Sequence, residues 1–210
     1  MKLTDFVFLT SILFVLVLLT RIAIAALRRR WAVAGRLARL LGIFTGGYAL
    51  VLLLVGLTLP RRSFPSGGRE CFDDWCVTAL SASLAEGSSK VHCPPAPGSD
   101  MWVASVEVSS AAKRIRQRAR FVRIELEDQL GQRYPACAAT IPQSAEPTRP
   151  LTDELGPGES FPVWLPFQVP HMAKPAGLVV HHGEYPEKFI IGADQSALHR
   201  PALLRLSTQP

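Results

Sequence analysis

The stretch from Leu40 to Leu59 constrains the chain more than any other, because it holds twenty consecutive residues without a charge or a proline. A helix of this length covers about 30 Å, the thickness of a bilayer core. A second apolar run extends from Phe6 to Leu27, and its only charge is Arg21. The sequence therefore predicts a transmembrane helical hairpin over residues 1–59, with helices at about 6–27 and 40–59.

The distribution of charge separates this hairpin from the rest of the chain. Residues 1–62 carry nine Lys and Arg against one Asp, whereas residues 63–210 carry fourteen basic against sixteen acidic residues. Five arginines and no acid lie between the two apolar runs, and short basic loops stay in the cytoplasm. We therefore expect a bacterial inner-membrane protein with N-out/C-out topology, although Arg61 and Arg62 on the outer flank oppose it. A mildly acidic C-terminal part is a poor binder of nucleic acid.

All four cysteines follow the predicted hairpin: Cys71, Cys76, Cys93 and Cys137. An even set confined to one side of a membrane predicts disulfides in an oxidising space outside the cytoplasm. The Asp73-Asp74 turn favours pairing of Cys71 with Cys76, which leaves Cys93 for Cys137, although the other connectivities stay open. The C-x4-C spacing, without a second close pair or a nearby histidine, is not a zinc signature.

The remaining chain has the pattern of a linker followed by an all-β domain. Residues 60–70 contain two prolines, two glycines and two serines, which predicts a linker. Residues 71–210 hold many short alternating segments separated by Gly and Pro turns, which predicts an all-β sandwich. The topology places it facing the periplasm or the cell exterior. Pro162 and Pro166, within one aromatic-rich segment, predict an edge strand or bulges.

Three motifs follow one another along the predicted sandwich. They are Asp128, Gly131 and Tyr134 in a turn, Pro157, Gly158 and Glu159 in a second turn, and Phe167, Val169 and Pro170 at a strand end. With these motifs, about residues 70–206 resemble the telokin-like, immunoglobulin-fold extracytoplasmic domains of bacteria, here fused to a hairpin. The resemblance implies a secreted or membrane-tethered immunoglobulin-like β-sandwich without a shared catalytic site, which in some members binds a substrate or partner.

A basic segment, residues 113–120, permits two interpretations. In an extended conformation four arginines point the same way: Arg114, Arg116, Arg118 and Arg120. One interpretation is a docking stripe for an anionic partner, such as lipid head groups or an acidic envelope polymer. The other is a solvated edge whose charge blocks unwanted strand pairing.

Motifs of known catalytic chemistry are missing from the sequence, including Gly-x-Ser-x-Gly, His-Glu-x-x-His and phosphate-binding glycine loops. We therefore expect a membrane-tethered extracytoplasmic binding or interaction protein, with no catalytic activity and no cofactor. Its expected partners are the lipid bilayer and an envelope protein or anionic surface. One alternative is a copper-type metal-handling domain, and a second is an envelope hydrolase. The metal alternative uses His171, Met172, His181 and His182.

Overall fold

The computed structural model describes residues 3–85, 93, 97–119, 121–137, 149–182, 187–191, 196 and 199–208. Within these residues two helices, α1 (Leu3–Leu27) and α2 (Trp31–Thr58), precede a β-rich part. Its strands are β1 (Ser63–Phe64), β2 (Arg69–Phe72), β3 (Trp75–Leu84), β4 (Ser99–Ser110), β5 (Gln117–Arg118), β6 (Arg123–Asp128), β7 (Arg133–Pro135), β8 (Glu154–Leu155), β9 (Ser160–Pro170), β10 (Pro175–His181), β11 (Leu203–Arg205) and β12 (Ser207–Thr208). The chain divides into two compact units, residues 1–60 with 184–200, and residues 61–183 with 201–210.

Both helices are long and apolar enough to cross a bilayer. Their lengths are about 37 and 42 Å at the rise of an α-helix. Hydroxyl groups in them donate to the carbonyl four residues earlier over 2.7–2.9 Å, as seen at Thr10, Ser11, Thr20, Thr45 and Thr58. These bonds satisfy the polar groups inside an apolar helix surface. The rings of Phe14 and Phe44 join the helices at a centroid distance of 4.7 Å, and the Tyr48 hydroxyl donates to the Phe189 carbonyl over 2.7 Å.

The connection between the helices is shorter than the sequence predicts. Because α2 begins at Trp31, only residues 28–30 lie outside the helices, and the basic residues at 36 and 39 belong to α2. Arg29 adopts a φ of 57°, and the amides of Arg29 and Arg30 donate to the carbonyls of Ala26 and Ala25. This is the Schellman arrangement, which satisfies the last carbonyls of α1 and ends the helix abruptly.

Within the described residues, the strands of the β-rich part form two five-stranded sheets that share one core, and a separate two-stranded sheet of β5 and β8. One sheet has the order β1-β11-β10-β6-β7, and the other has the order β12-β3-β4-β9, with β2 also paired to β3. Alternate residues of β4, including Val106 and Val108, meet Leu126 of β6 and Leu178 of β10 in one buried core. The β-sandwich predicted from the alternating segments is therefore confirmed.

The edge strand β9 has the position that its prolines predict. Pro162 and Pro166 cannot donate to a ladder, and β9 pairs with β4 while lying at the end of its sheet. At Pro166 the carbonyl accepts a 2.8 Å hydrogen bond from the Cys137 amide, so this edge is partly covered.

The four cysteines all lie in the described residues and form two disulfides, Cys71–Cys76 and Cys93–Cys137. This is the pairing that the sequence favours. The Cys71–Cys76 bond joins opposite residues of the β2–β3 hairpin. The Cys93–Cys137 bond joins residues 44 positions apart in the chain.

One segment differs from its predicted local structure. Residues 60–70, predicted as a linker, contain β1 and the first half of β2, so the chain becomes part of the sandwich soon after α2. The strand signal there is weak because β1 has only two residues, and its partner lies about 140 residues further along the chain. Near the end of the chain, Glu187–Phe189 forms a 3-10 turn.

The turn motifs behind the family resemblance have structural roles. Asp128 accepts hydrogen bonds from the Leu130 and Gln132 amides at 2.8 and 2.9 Å and from the Tyr134 hydroxyl at 3.0 Å. Gly131 within this turn adopts a φ of 81°, which favours glycine. In the second turn, Glu159 accepts a 2.7 Å bond from the amide at position 156. These contacts account for the motifs through turn geometry alone.

Candidate interaction surfaces at the two ends of the sandwich

Strand register identifies the end of the sandwich at which the chain enters from α2. Strand β1 runs parallel to β11, with Ser63 opposite Leu203. Strand β11 is antiparallel to β10, with Leu203 opposite Val179. Strand β10 is in turn paired with β6, with His181 opposite Arg123. The chain therefore enters where β10 finishes and β6 begins, and we call this the tether end.

Ring contacts assign the second sheet to the same end. His182 directly follows β10 and stacks on Phe72 and Trp75, with centroid distances of 5.0 and 5.7 Å. These two aromatic residues flank the turn between β2 and β3, which the Cys71–Cys76 disulfide closes. The tether end therefore also contains the start of β3 and the end of β4, which lies opposite Trp75.

An ion pair between Arg61 and Glu127 fixes the entering chain to the sheet. The Nη1 and Nη2 atoms of Arg61 donate to the two carboxylate oxygens of Glu127, the second over 2.9 Å. The Nε atom of Arg61 donates to the Pro201 carbonyl over 2.8 Å, and the Leu203 amide donates to the Arg62 carbonyl over 3.0 Å. Bidentate pairing of this kind restricts orientation as well as distance.

Glu127 belongs to a longer network on the face of β6 that points away from the core. Arg133 donates to it over 3.1 Å and lies 4.0 Å from Glu125, which contacts His181 over 3.1 Å. Burial by itself raises the pKa of Glu127, but the hydrogen bonds and charges of Arg61 and Arg133 outweigh burial and hold the pKa below its ordinary value. Glu127 is therefore ionised at neutral pH, with only 6% of its side chain exposed.

Residues 111–119, 121 and 122, which lie between β4 and β6 at the tether end, form what we call the proximal loop. Buried Ala112 and Ala119 hold it against the core, and β5 within it pairs with β8. Ile115 and Phe121 are nevertheless 68% and 72% exposed. Phe121 has a φ of 55°, which is rare for a bulky residue and places this part of the loop under backbone strain.

The predicted docking stripe lies in this loop, but its arginines do not share one extended strand. Only Gln117–Arg118 is a strand. Arg116 lies 3.6 Å from Glu154, and Arg118 donates to the Thr152 carbonyl over 3.1 Å. Arg120 lies outside the described residues. The docking role of the stripe stays a prediction.

The opposite end of the sandwich exposes two apolar side chains. We call it the distal tip, residues 129–132 and 171–174. Leu130 is 88% exposed and Met172 is 94% exposed. The Gln129 amide donates to the Lys174 carbonyl over 3.1 Å, so the two turns are directly bonded. The distal tip therefore presents two large apolar side chains to solvent.

The structure separates the residues of the metal alternative, which are His171, Met172, His181 and His182. His171 lies at the distal end and contacts Asp100 over 2.6 Å. The two adjacent histidines lie at the tether end, beyond a seven-residue strand that covers about 23 Å. In the described part of the chain, no group of three or more His, Cys, Asp or Glu side chains is arranged to hold a metal ion.

The hydrolase alternative requires a nucleophile beside a base. All four cysteines are oxidised, so the described residues contain no free thiol. His171 and His181 each direct a ring nitrogen to a carboxylate, which provides the orienting half of a triad.

Three features at the two ends were missed by sequence reasoning. In the sequence Arg61 is only a signal of membrane topology, whereas in the structure it pairs with Glu127, which lies 66 positions further along the chain. The sequence gives no signal that Phe121 and Leu130 are exposed, because Phe121 lies at the start of an apolar segment and Leu130 lies in an ordinary turn. Only the excess of arginine in residues 113–120 drew attention to the proximal loop.

No family model matches the chain, and no curated protein matches it. Among solved structures, the chain is similar to MPT63, a secreted protein of Mycobacterium tuberculosis, with 14% identity and a TM-score of 0.45 over 60% of this chain and 93% of that one. It is similar to an uncharacterised β-sandwich protein of Clostridium difficile 630, with 12% identity and a TM-score of 0.35 over 61% and 92%. A conserved hypothetical protein of Bacillus anthracis has 15% identity and a TM-score of 0.38 over 56% and 88%. The telokin-like assignment stays a prediction.

Proposed function

We propose that the chain is a membrane-tethered extracytoplasmic interaction protein without catalytic activity. In this proposal α1 and α2 span the inner membrane of a bacterium, with both chain ends outside the cytoplasm. The length and apolar surface of the helices support the spanning part. The oxidised state of all four cysteines supports an oxidising compartment for the sandwich.

The exposure of the distal tip supports the proposed role in binding a partner. The domain is bonded to its tether through Arg61 at one end and exposes Leu130 and Met172 at the other. We assign the partner to the distal tip, because its two large apolar side chains are exposed. The fitting partner is an envelope protein with a complementary apolar surface, because burial of apolar area is the main favourable contribution to such association.

The compartment is tested with two reporters fused separately after Pro210, one that fluoresces only in the cytosol and one enzyme that is active only in the periplasm. We expect enzyme activity without fluorescence. Fusions after Gly35, between the two apolar runs, are the matched control and should give the reverse result. Cytosolic fluorescence from the Pro210 fusion would refute the topology and the role together.

The distal tip is tested by cross-linking in intact cells followed by purification of the tagged full chain. We expect Leu130→Asp combined with Met172→Asp to abolish a specific cross-linked species that the wild-type chain forms. Leu80→Asp is the matched control, because Leu80 is also an exposed apolar residue but lies in the middle of β3, away from the tip. An unchanged cross-linking pattern, or equal loss from the control, contradicts the assignment of the tip.

A further inference from the structure

We propose that the proximal loop docks onto anionic phospholipid at the surface of the membrane that holds the hairpin. This inference rests on the proposed function, because it takes α1 and α2 to span that membrane. It assigns a partner to the tether end, whereas the distal tip is assigned to a protein.

Only a short stretch of chain separates α2 from the sandwich. Helix α2 ends at Thr58, and Arg61 is already bonded to Glu127 and to the Pro201 carbonyl. Three residue steps extend over at most about 11 Å. The proximal loop belongs to the same end of the sandwich as the residues that follow this connection.

The loop has the two kinds of side chain that a lipid interface binds. Lys113 and Arg114 are exposed, and among the described residues neither has an acidic partner. Ile115 between the basic residues and Phe121 near the end of the loop present apolar groups to solvent. Cations bind the phosphate head groups, while apolar and aromatic groups enter the boundary between head groups and acyl chains.

Two acidic residues near the loop contact residues of the loop other than Lys113 and Arg114. The Asp74 carboxylate is 3.5 Å from the Gln117 side-chain nitrogen. Glu154 lies 3.6 Å from Arg116.

Backbone strain at Phe121 points to lipid rather than to a soluble polyanion. A positive φ costs free energy at a non-glycine residue, and Phe121 has one. Its phenyl ring is also mostly exposed to solvent. A soluble polyanion binds charge but offers no environment for an exposed phenyl ring. A bilayer interface provides both an anionic surface and an apolar layer beneath it.

The proposal is tested with the full chain reconstituted into two kinds of vesicle, one of phosphatidylcholine and one of equal parts phosphatidylcholine and phosphatidylglycerol. Ile115→Cys is labelled from outside with a membrane-impermeant, polarity-sensitive thiol dye. Because the native cysteines are paired, only the introduced thiol reacts. Leu130→Cys at the distal tip is the matched control. The readouts are the emission wavelength and quenching by acrylamide, which is uncharged.

We expect the dye at position 115 to shift to shorter wavelength and to lose quenching in anionic vesicles only, while the dye at position 130 responds equally in both. Lys113→Gln with Arg114→Gln should lower the ratio of docked to undocked loop about 25-fold, since each basic residue near an anionic surface contributes about a factor of five. Tryptophan emission of this double variant should match the wild type, because both residues are exposed.

Equal quenching at position 115 in both vesicle types would overturn the proposal, as would an unchanged response in the double variant. Protection produced in neutral vesicles by soluble polyphosphate would replace lipid with a soluble polyanion. The vesicle assay measures docking without reference to the cell compartment. Its failure is therefore distinct from failure of the reporter test after Pro210, which addresses the proposed function.

Discussion

Replacing Arg61 with alanine tests whether the sandwich is bonded to its tether as the structure describes. The substitution removes two hydrogen bonds to the Glu127 carboxylate and one to the Pro201 carbonyl. The almost completely buried Glu127 carboxylate then keeps one hydrogen bond, which Arg133 donates over 3.1 Å. The free energy of unfolding of the sandwich should therefore fall.

The expected loss of unfolding free energy follows from the charges of Arg61 and Glu127 and from the burial of Glu127. Hydrogen bonds to charged groups contribute about 1.5–3 kcal/mol each, and orphaning a buried charge costs about 3–5 kcal/mol. Glu127 keeps Arg133 as a partner, and Arg61 remains 23% exposed, so both effects are reduced. We expect Arg61→Ala to lower the free energy of unfolding by about 2–3 kcal/mol. The exposed pair of Arg116 and Glu154 should contribute about 0–1 kcal/mol.

The measurement is denaturant unfolding of the full chain in detergent, followed by tryptophan emission. Trp75 is buried in the sandwich and reports its unfolding. Arg116→Ala is the matched control, because it removes an arginine from an ion pair that is mostly exposed. A double-mutant cycle with Glu127→Gln isolates the coupling of Arg61 to Glu127 from other effects of each substitution. A coupling below about 0.5 kcal/mol, within the ordinary non-additivity of independent sites, would refute the reasoning.

Two further predictions concern acid stability and a glycine. Because the folded-state pKa of Glu127 lies below its ordinary value of 4.5, its stabilising contribution is complete above that pH and disappears as the pH falls through the folded-state pKa. Glu127→Gln should therefore flatten the acid part of the plot of unfolding free energy against pH. Gly177→Ala should destabilise the sandwich by about 1–3 kcal/mol in denaturant unfolding, since a Cβ would lie 2.5 Å from the Leu204 carbonyl oxygen.

A different result would contradict each of these predictions. An acid limb unchanged in Glu127→Gln would show that other carboxylates account for it. An alanine tolerated at position 177 as well as at position 46, where a Cβ has open space, would contradict the close approach of β11.

Local patterns determined the features that depend on neighbours in sequence. The apolar run from Leu40 to Leu59 predicts a helix because every turn repeats the same apolar surface. The alternation in residues 101–109 places Ala104, Val106 and Val108 on the core face, since strand side chains have a period of two. The cysteine spacing favours the observed disulfides because Cys71 and Cys76 enclose a turn.

Local sequence patterns do not encode which residues lie opposite one another across the sheets. Whether Arg61 meets Glu127 depends on β1 pairing with β11, β11 with β10, and β10 with β6, and each pairing joins residues far apart in the chain. The same strand order places the proximal loop at the tether end. A one-residue change of register would direct the side chain of Glu127 to the other face, and local composition does not encode that choice.

By itself the sequence determined two apolar helices, an alternating β-rich part and two disulfides, because helix length, strand period and turn chemistry act over a few residues. The tertiary structure alone decided which end of the sandwich receives the chain from α2, which arginine is neutralised, and which apolar side chains remain exposed. Those outcomes arise from pairing between distant strands, whose free energy depends on the whole packed arrangement rather than on any one segment.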